Sequence, residues 1–431
     1  MTTIELYAIY KEHSTISTDT RKIAEGSIFF ALKGPNFNAN TLVGEAIRKG
    51  AAYCVIDDVN YKINDKCILV DDVLNCLQKL ANHHRKQLNI PIIAIVGSNG
   101  KTTTKELITS VLATTFNVWA TPGNFNNHIG LPLTILQLTT NHQMAIIEMG
   151  ANHVGENAEL CEIAEPTLGI VTNNGMDHLE GFGNIEGVAK SNSELYYYLL
   201  KNNGTAFVNA HDEWLMRMST RLSNKKTYAA NTILRHVSAD YIGVASQLQP
   251  TIKFVFQNQN GHSILSGDYN FDNIMAAIAI GKYLGVSESN ILKGVASYEP
   301  KNNRSQWIQK NNNLIFMDAY NANPSSMEAA LRNFAAMEHP HKVIIMGDMF
   351  EMGEYAKTEH QRMVNLCATL NLTNVIIVGE EFYQTKHDNV HAFINTADAD
   401  VFIKQMNYKN CAFFIKGSRG MKLETLAESI D

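Results

Sequence analysis

Short apolar runs rich in isoleucine and valine recur along this chain, and each is followed by a turn and a helix-like segment. In the middle of the chain the runs are Ile92–Val96, Met144–Ile147 and Leu168–Val171. Runs of this length suit strands that are covered on both faces. Strands that alternate with helices form parallel sheets, because each crossover helix returns the chain to the same end of the sheet. The sequence therefore predicts an α/β protein with a central parallel sheet.

A second alternation of the same kind begins near Leu314. Its predicted strands are Leu314–Met317, Val343–Met346, Val375–Val378 and Ala412–Ile415, with helices that begin near Ser325, Lys357 and Asp398. Between the two alternations, three close-set segments show period-two patterning, which is typical of antiparallel strands. These segments are Val237–Ala245, Thr251–Gln257 and Gly261–Leu265.

The first ninety residues have a pattern of their own. It predicts strands at Ser27–Ala31, Tyr53–Ile56 and Cys67–Val70, a helix from Thr41, and a helix from Asp71 to about Leu88 with Asp71 as its N-cap. A chain of 431 residues suggests about three domains. Segments containing proline and asparagine at 89–91 and 298–303 place the boundaries, so the predicted domains are 1–90, 91–299 and 300–431.

Charge and composition exclude several classes of protein. Lysine and arginine total 36 while aspartate and glutamate total 42, which gives a net charge of −6. A mildly acidic chain does not bind nucleic acid by bulk attraction, and 45% hydrophobic residues exclude global disorder. The six cysteines form no CxxC pair, and the first residues do not resemble a signal peptide. No apolar run approaches the roughly 20 residues of a membrane helix. We therefore expect a cytoplasmic protein without nucleic-acid or membrane partners.

The most specific local motif reads IAIVGSNGKTTTKELITSVL, from Ile93 to Leu112. An apolar strand leads into a glycine-bearing turn, a lysine, a run of hydroxyls and an amphipathic helix. The free amides and the positive dipole end of such a helix suit phosphate, while Lys101 can reach the outer phosphates and Thr102 can bind Mg²⁺. The predicted nucleotide-binding residues of this loop are Gly97, Ser98, Asn99, Gly100, Lys101, Thr102 and Thr103.

The loop is the shorter GxxGKT form, because Ile95 stands where the first glycine of GxxxxGK[ST] would be. An ordinary strand–turn–helix with an incidental GKT is the alternative. A nucleotide-binding loop by itself fits a motor ATPase, a switch GTPase or an ATP-driven ligase. The chain has no guanine-reading NKxD motif, which disfavours the GTPase.

Polar residues follow the next two strands of the predicted sheet. Glu148 directly follows Met144–Ile147, and His178 lies in the loop TNNGMDHLEGFG after Leu168–Val171. Ligands of open α/β sheets bind at the carboxyl ends of the strands. The pattern therefore predicts Glu148 as a second Mg²⁺ ligand and His178 as a metal or phosphate ligand. A helix cap or surface acid, and a surface histidine, are the alternatives.

A third polar segment, Thr121–Pro132, contains Asn124, Asn126 and Asn127. Asparagine amides both donate and accept hydrogen bonds, which suits a sugar or a peptide. A turn-rich loop explains the same residues equally well.

Together these motifs resemble the Mur ligases. The matching segments are GxxGKT, EMGAN, NxGxxHLExFG, DAYNANPSSM at Asp318–Met327, GDMFEMG at Gly347–Gly353 and KGSRG at Lys416–Gly420. The segment Thr18–Asn40 is similar to the family's uridine-binding domain. The resemblance spans nearly the whole chain. Within the family, NANPSSM and GDMFEMG resemble the MurF-type branch, which adds D-alanyl-D-alanine to UDP-N-acetylmuramoyl tripeptide.

The resemblance implies an ATP-dependent amide ligase of cytoplasmic peptidoglycan precursor synthesis, and hence a part in cell-wall biogenesis, cell shape, cell division and the cell cycle. It implies a small N-terminal α/β domain for the UDP-sugar, a central P-loop domain for ATP and a C-terminal Rossmann-like domain for the dipeptide. The reaction passes through an acyl phosphate. The implied cofactors are ATP and Mg²⁺, and the implied state is a monomer. The third residue of the tripeptide is left open between diaminopimelate and lysine.

Residue roles also follow from the resemblance. The implied catalytic residues are Lys101, His178 and Arg304, and the implied metal ligands are Thr102, Glu148 and His178. Asn273, Arg304 and Asp318 join the loop residues in binding the nucleotide. The implied substrate-binding residues are Thr20, Arg21, Asn124, Asn126, Asn127, Asn321 and Ser325.

Simpler explanations exist for several of these residues. Asn270 and Asn273 could cap a helix at 271–284, Arg304 could be a linker charge and Asp318 could form a turn. Lys416 and Arg419 could bind a substrate carboxylate or belong to an ordinary βα loop.

One position departs from the family pattern. Mur ligases usually carry a lysine four residues before the aromatic of an AKGEIF-like helix, and its carbamate helps bind a second Mg²⁺. In VAKSNSELYYYL, counting back from Tyr196 gives Asn192. Lys190 lies two residues earlier and would point about 200° away on a helix. We therefore expect a second metal site without a carbamate.

Two other functions remain open at this stage. One is a related ligase with a different acyl acceptor, against which NANPSSM and the uridine-like segment argue. The other is a nucleotide-binding module that has lost catalysis through Asn192, against which Lys101, Glu148 and His178 argue.

Overall fold

The computed structural model describes residues 1–301 and 303–430. Helices alternate with strands throughout, and the strands form sheets of four, nine and six strands together with a two-stranded ribbon. The chain divides into two compact units. Unit 1 comprises residues 1–94, 116–151 and 155–168, and unit 2 comprises residues 95–115, 152–154 and 169–431.

The N-terminal segment, in unit 1, contains a parallel four-stranded sheet in the order β1-β2-β5-β6. Its strands, with the ribbon β3–β4, are β1 (Ile16–Ser17), β2 (Ile28–Phe30), β3 (Lys33–Gly34), β4 (Phe37–Asn38), β5 (Tyr53–Ile56) and β6 (Cys67–Leu69). Its helices are α1 (Thr3–Glu12), α2 (Val43–Arg48) and α3 (Val73–Gln87). Phe29, Ala46, Cys54 and Ile56 pack together in its core.

The nine-stranded sheet has the order β15-β14-β13-β12-β11-β10-β7-β9-β8. Its strands are β7 (Ile92–Val96), β8 (Val118–Ala120), β9 (Met144–Glu148), β10 (Leu168–Val171), β11 (Thr205–Asn209), β12 (Lys225–Asn231), β13 (Tyr241–Gln247), β14 (Ile252–Phe256) and β15 (Gln259–Ser263). The accompanying helices are α4 (Lys101–Leu112), α5 (Gly130–Ile135), α6 (Glu156–Ala164), α7 (Leu179–Phe182), α8 (Ile185–Lys201), α9 (Glu213–Met218), α10 (Asp268–Tyr283) and α11 (Glu288–Ser297).

The six-stranded sheet of unit 2 has the order β16-β17-β21-β18-β19-β20, in which only the β16–β17 pair is antiparallel. Its strands are β16 (Gln306–Lys310), β17 (Asn313–Asp318), β18 (Lys342–Gly347), β19 (Val375–Val378), β20 (Val390–Phe393) and β21 (Ala412–Lys416). Its helices are α12 (Pro324–Ala336), α13 (Ala356–Thr369), α14 (Glu380–Tyr383) and α15 (Thr396–Met406). Phe316 and Phe414 face one apolar cluster while Ile315 and Phe413 face another, so both faces of this sheet are covered.

Most predicted elements match the structure within a few residues. The antiparallel addition is confirmed, because β13 pairs antiparallel with β14, and β14 with β15. The elements that were not predicted from the sequence are β1, β3, β4, β8, β11, β12, β16, β20, α1, α5, α9, α11 and α14. The apolar run at β7 was predicted at its exact bounds because all five of its residues are buried.

Two predicted helix starts are wrong. Helix α3 is capped by Asp72 and not by Asp71, because the Asp72 carboxylate accepts the Asn75 amide at 2.6 Å. Helix α10 begins at Asp268 after Gly267, not at 271.

No described helix combines the length and the apolar character that crossing a membrane would need.

The cap of α3 gives a stability test. Replacing Asp72 with alanine removes the acceptor for the Asn75 amide and should lower the free energy of unfolding by about 1 kcal/mol. Asp71→Ala is the matched control, since Asp71 is the adjacent exposed aspartate. This substitution should change the free energy of unfolding by about 0.5 kcal/mol at most. Chemical denaturation measures both variants, and equal effects of the two would contradict the assignment of the cap.

Candidate active site

The phosphate loop joins β7 to α4 in unit 2, and its backbone requires glycine at two positions. Gly97 has φ +130° and Gly100 has φ +78°. A side chain would also find no room, since a Cβ at Gly97 would lie 2.2 Å from Thr172 Oγ1 and a Cβ at Gly100 would lie 2.7 Å from Asn273 Oδ1. The tight turn brings the first amides of α4 to the mouth of the loop, as phosphate binding requires.

The segment that follows β10 holds this loop in place. The Asn173 side chain accepts a hydrogen bond from the Asn99 amide at 3.0 Å and donates one to the Asn99 carbonyl at 2.9 Å. Thr172 Oγ1 donates to the same carbonyl at 2.7 Å, and the Gly175 amide donates to Ser98 Oγ at 2.8 Å. Because the loop is fixed from behind, it does not have to be ordered when an anion arrives.

Lys101 is the first residue of α4 and its ammonium folds back over the loop. It donates to the Gly97 carbonyl and, at 3.4 Å, to the Ser98 carbonyl. Thr102 and Thr103 are buried in the first turn of the helix. The Lys101 ammonium and the N-terminus of α4 thus lie side by side at this loop. A cation beside a helix N-terminus is typical of a polyphosphate-binding site.

Asn273 lies inside α10 and packs against the phosphate loop. Its Oδ1 accepts from Thr104 Oγ1 at 3.1 Å, and its amide nitrogen donates to Asn270 Oδ1 at 3.3 Å. Since α10 begins at Asp268, neither asparagine is the N-cap of this helix, and the capping alternative is wrong.

In unit 1, Glu148 ends β9 with its side chain buried. Asn126 donates to Glu148 Oε1 at 3.0 Å, and the Asn126 carbonyl accepts the Gly150 amide at 2.8 Å. Asn127 instead accepts from the Ile129 and Gly130 amides, which is the turn-forming role that was the simpler explanation for this loop. Asn124 is exposed.

The uridine-side candidates also lie in unit 1. Thr20 is buried, and its carbonyl accepts from Lys49 Nζ at 3.0 Å. Arg21 is exposed and forms a two-pronged pair with Asp19, with distances of 2.8 to 3.1 Å. This hydrogen bonding lowers the pKa of the Asp19 carboxyl to about 2. The Asp19 carboxylate thus fixes the orientation of the Arg21 guanidinium.

His178 occupies the turn before α7 with φ +46°, a left-handed conformation that few non-glycine residues adopt. Its Nδ1 lies 2.5 Å from Glu351 Oε2 of the GDMFEMG segment, and its ring packs edge-on against Phe182. Within residues 1–301 and 303–430, no three or more His, Cys, Asp or Glu side chains form a group that could hold a metal ion.

The strand ends of the six-stranded sheet carry the remaining candidates. Asp318 accepts from Lys416 Nζ at 2.5 Å and from the Ser305 amide at 3.0 Å. Lys416 is buried and also donates to the Asn321 carbonyl at 3.1 Å. The guanidinium of Arg304 lies 3.6 Å from the centre of the Tyr320 ring. The buried Lys416 is therefore engaged within the protein.

The start of α12 contacts the phosphate-loop region. Asn323 caps the helix, and its amide nitrogen donates to Asn99 Oδ1 at 2.8 Å. Ser325 Oγ accepts the Met176 amide at 2.8 Å. Ser325 was predicted from the sequence, whereas Asn323 and Asn173 were not. An asparagine before a proline that starts a helix is a recognisable cap, so the sequence carried a signal for Asn323; nothing singled out Asn173.

Known proteins identify the family. Residues 95–281 match the Mur ligase middle domain, and residues 303–408 match the Mur ligase glutamate ligase domain. The UDP-N-acetylmuramoyl-tripeptide--D-alanyl-D-alanine ligase of Bacillus subtilis is 33% identical over 427 residues, covering 96% of this chain and 92% of the relative. This chain belongs to the Mur ligase family. The Escherichia coli relative of the same name is 34% identical over 85% of this ligase and 81% of its own length.

Solved structures agree with the assignment of this Mur ligase. MurF of Acinetobacter baumannii superposes with a TM-score of 0.86 at 30% identity, covering 96% of this chain and 92% of that one. MurF of Thermotoga maritima, solved in complex with ADP, gives a TM-score of 0.85 at 25% identity and 96% coverage of both chains. The α/β class with parallel sheets and the three-domain Mur architecture are thereby confirmed. The boundaries near 90 and 300 and the individual site residues remain predictions.

The support behind the phosphate loop gives a binding test. Asn173→Ala removes two hydrogen bonds to the Asn99 backbone, and ADP should bind about tenfold more weakly because the loop must then be ordered on binding. Calorimetric titration measures the affinity. Asn260→Ala, at an exposed position on β15, is the control and should bind as the parent does. An unchanged affinity for Asn173→Ala would contradict the supporting role.

Proposed function

We propose that this Mur ligase joins D-alanyl-D-alanine to UDP-N-acetylmuramoyl tripeptide with hydrolysis of ATP to ADP and phosphate. The observation that carries the proposal is the near full-length similarity to ligases of that name, combined with a phosphate loop whose glycines, lysine and backing segment are all present. The activity belongs to peptidoglycan precursor synthesis.

The chemistry follows from the poor reactivity of a carboxylate toward amines. A carboxylate oxygen of the tripeptide attacks the γ-phosphorus of ATP, and the bond from that phosphorus to the oxygen bridging the β- and γ-phosphates breaks. ADP departs, and the tripeptide carboxylate has become an acyl phosphate. The amine of the dipeptide then attacks the acyl carbon. The tetrahedral intermediate loses phosphate, and the amine gives up a proton as the amide forms.

In this reaction the residues of the chain bind the substrates and screen the charge of the phosphates. Lys101 and the first amides of α4 hold the phosphates as charge moves onto them. Asn273 and Asp318 bind on the nucleoside side, and Arg304 reaches the γ-phosphate after leaving the Tyr320 ring. On the acceptor side, the proposed contacts are Thr20, Arg21, Asn124, Asn126 and Asn127, and on the dipeptide side they are Asn321 and Ser325.

The available ligands fit magnesium. The Thr102 hydroxyl and the Glu148 carboxylate are buried oxygen donors, which Mg²⁺ prefers, and His178 adds a nitrogen. Mg²⁺ usually keeps several waters and binds through one or two carboxylates together with substrate phosphates, so it does not need a site built from protein ligands alone. Bound Mg²⁺ would screen the repulsion between the attacking carboxylate and the γ-phosphate.

ADP release tests the proposal. The purified protein is mixed with ATP, Mg²⁺, UDP-N-acetylmuramoyl tripeptide and D-alanyl-D-alanine, and each component is omitted in turn. Sustained release that needs both the acceptor and the dipeptide is expected. Release with a different acyl acceptor would favour the related ligase, and ATP binding without release would favour the inactive module. Parallel reactions with diaminopimelate or lysine as the third residue show which tripeptide is used.

The position that departs from the family gives a second test. Asn192 is buried in α8 and donates to Asn174 Oδ1 at 2.7 Å, and an amide cannot be carbamylated. Turnover should therefore be the same in bicarbonate-free and bicarbonate-supplemented buffer, and it should need a higher Mg²⁺ concentration than a lysine-bearing relative. Lys190→Ala is the matched control, because the exposed Lys190 should be dispensable. Loss of turnover on removal of bicarbonate would show this reasoning to be wrong.

A further inference from the structure

The GDMFEMG segment contacts the histidine loop through both main chain and side chain. The Glu180 amide donates to the Glu351 carbonyl at 3.2 Å, next to the contact of 2.5 Å between Glu351 Oε2 and His178 Nδ1. Gly353, with φ +51°, comes close to the backbone of Glu180. Two separate contacts thus join the loops, and only one of them depends on the Glu351 side chain.

Both residues of this contact have unusual backbone conformations. His178 has φ +46° and Glu351 has φ +62°, in the left-handed region that is strained for a non-glycine residue. Positions of this kind are retained where the surrounding structure needs the side chain to point in one direction.

The contact decides which ring nitrogen of His178 is available. An oxygen and a nitrogen 2.5 Å apart need a proton between them, because two lone pairs would repel. Nδ1 therefore carries the proton toward Glu351, and Nε2 is the ring nitrogen with a lone pair that can bind a ligand. A histidine whose far nitrogen is bound by a carboxylate has a fixed ring orientation and a fixed tautomer.

We propose that Glu351 is a positioning residue that orients His178 and fixes its Nδ1–H tautomer. Glu351 belongs to the segment after β18 of the C-terminal sheet, whereas His178 belongs to the loop after β10 of the nine-stranded sheet. The histidine thus acquires its working orientation only when these two parts of unit 2 are together. This inference rests on the proposed function, in which His178 adds a nitrogen to the proposed metal site.

Two variants separate this role from a structural one. Glu351→Ala removes the acceptor, while Glu351→Gln keeps an oxygen that can accept the Nδ1 proton; both retain the main-chain contact with Glu180. Glu351→Ala should lower kcat at least about tenfold with little change in KM for ATP, and Glu351→Gln should recover most of that loss. Glu354→Ala, an exposed glutamate on the same loop, is the control and should keep the parent's kcat.

A spectroscopic measurement on the free protein needs neither nucleotide nor metal. Long-range proton–nitrogen spectra of histidine-labelled protein report which ring nitrogen carries the proton, and His178→Gln identifies the signals. Protonated Nδ1 is expected in the parent and in Glu351→Gln, with a shift toward the Nε2–H form in Glu351→Ala.

Unprotonated Nδ1 in the parent, or an unchanged kcat and ring pattern in Glu351→Ala, would overturn the inference. These results are distinct from a failure of the proposed function, in which the parent itself would release no ADP in the presence of both substrates.

Discussion

The arrangement around Asn99 is the constraint on which the candidate site of unit 2 depends. A phosphate loop exposes unpaired amides, and those amides attract phosphate strongly only if the loop is already shaped. Here Asn173 and Thr172 fix the Asn99 main chain from behind, and Asn323 reaches its side chain from α12. One residue therefore connects the turn, the segment after β10 and the first helix of the C-terminal sheet region.

Strands that are buried on both faces could be predicted from the sequence. The strand runs at Ile92–Val96 and Val375–Val378 were predicted at their exact bounds, because strands covered on both faces leave continuous apolar segments. The exposed or partly exposed β16 and β20 leave no such run, so they were not predicted. The phosphate loop was predicted because its chemistry lies within a few consecutive residues.

Contacts between residues that are far apart in the sequence could not be predicted in this way. Asn173 lies 74 residues from Asn99, and Asn323 lies 224 residues from it. No local pattern tells an asparagine that supports a loop from one that forms a turn, as Asn126 and Asn127 show by taking different roles one residue apart. Glu351 was part of a recognised motif, but its contact with His178 exists only in the folded chain.

Asn323 uses the two ends of its side-chain amide for two different purposes. Its Oδ1 accepts the Ser326 amide and caps α12, while its nitrogen donates to Asn99 Oδ1. An aspartate at this position could still cap the helix, but it would have no N–H group to donate to Asn99. The phosphate loop therefore restricts the residue types that position 323 can tolerate more narrowly than the helix cap alone would, across a separation of 224 residues in the sequence.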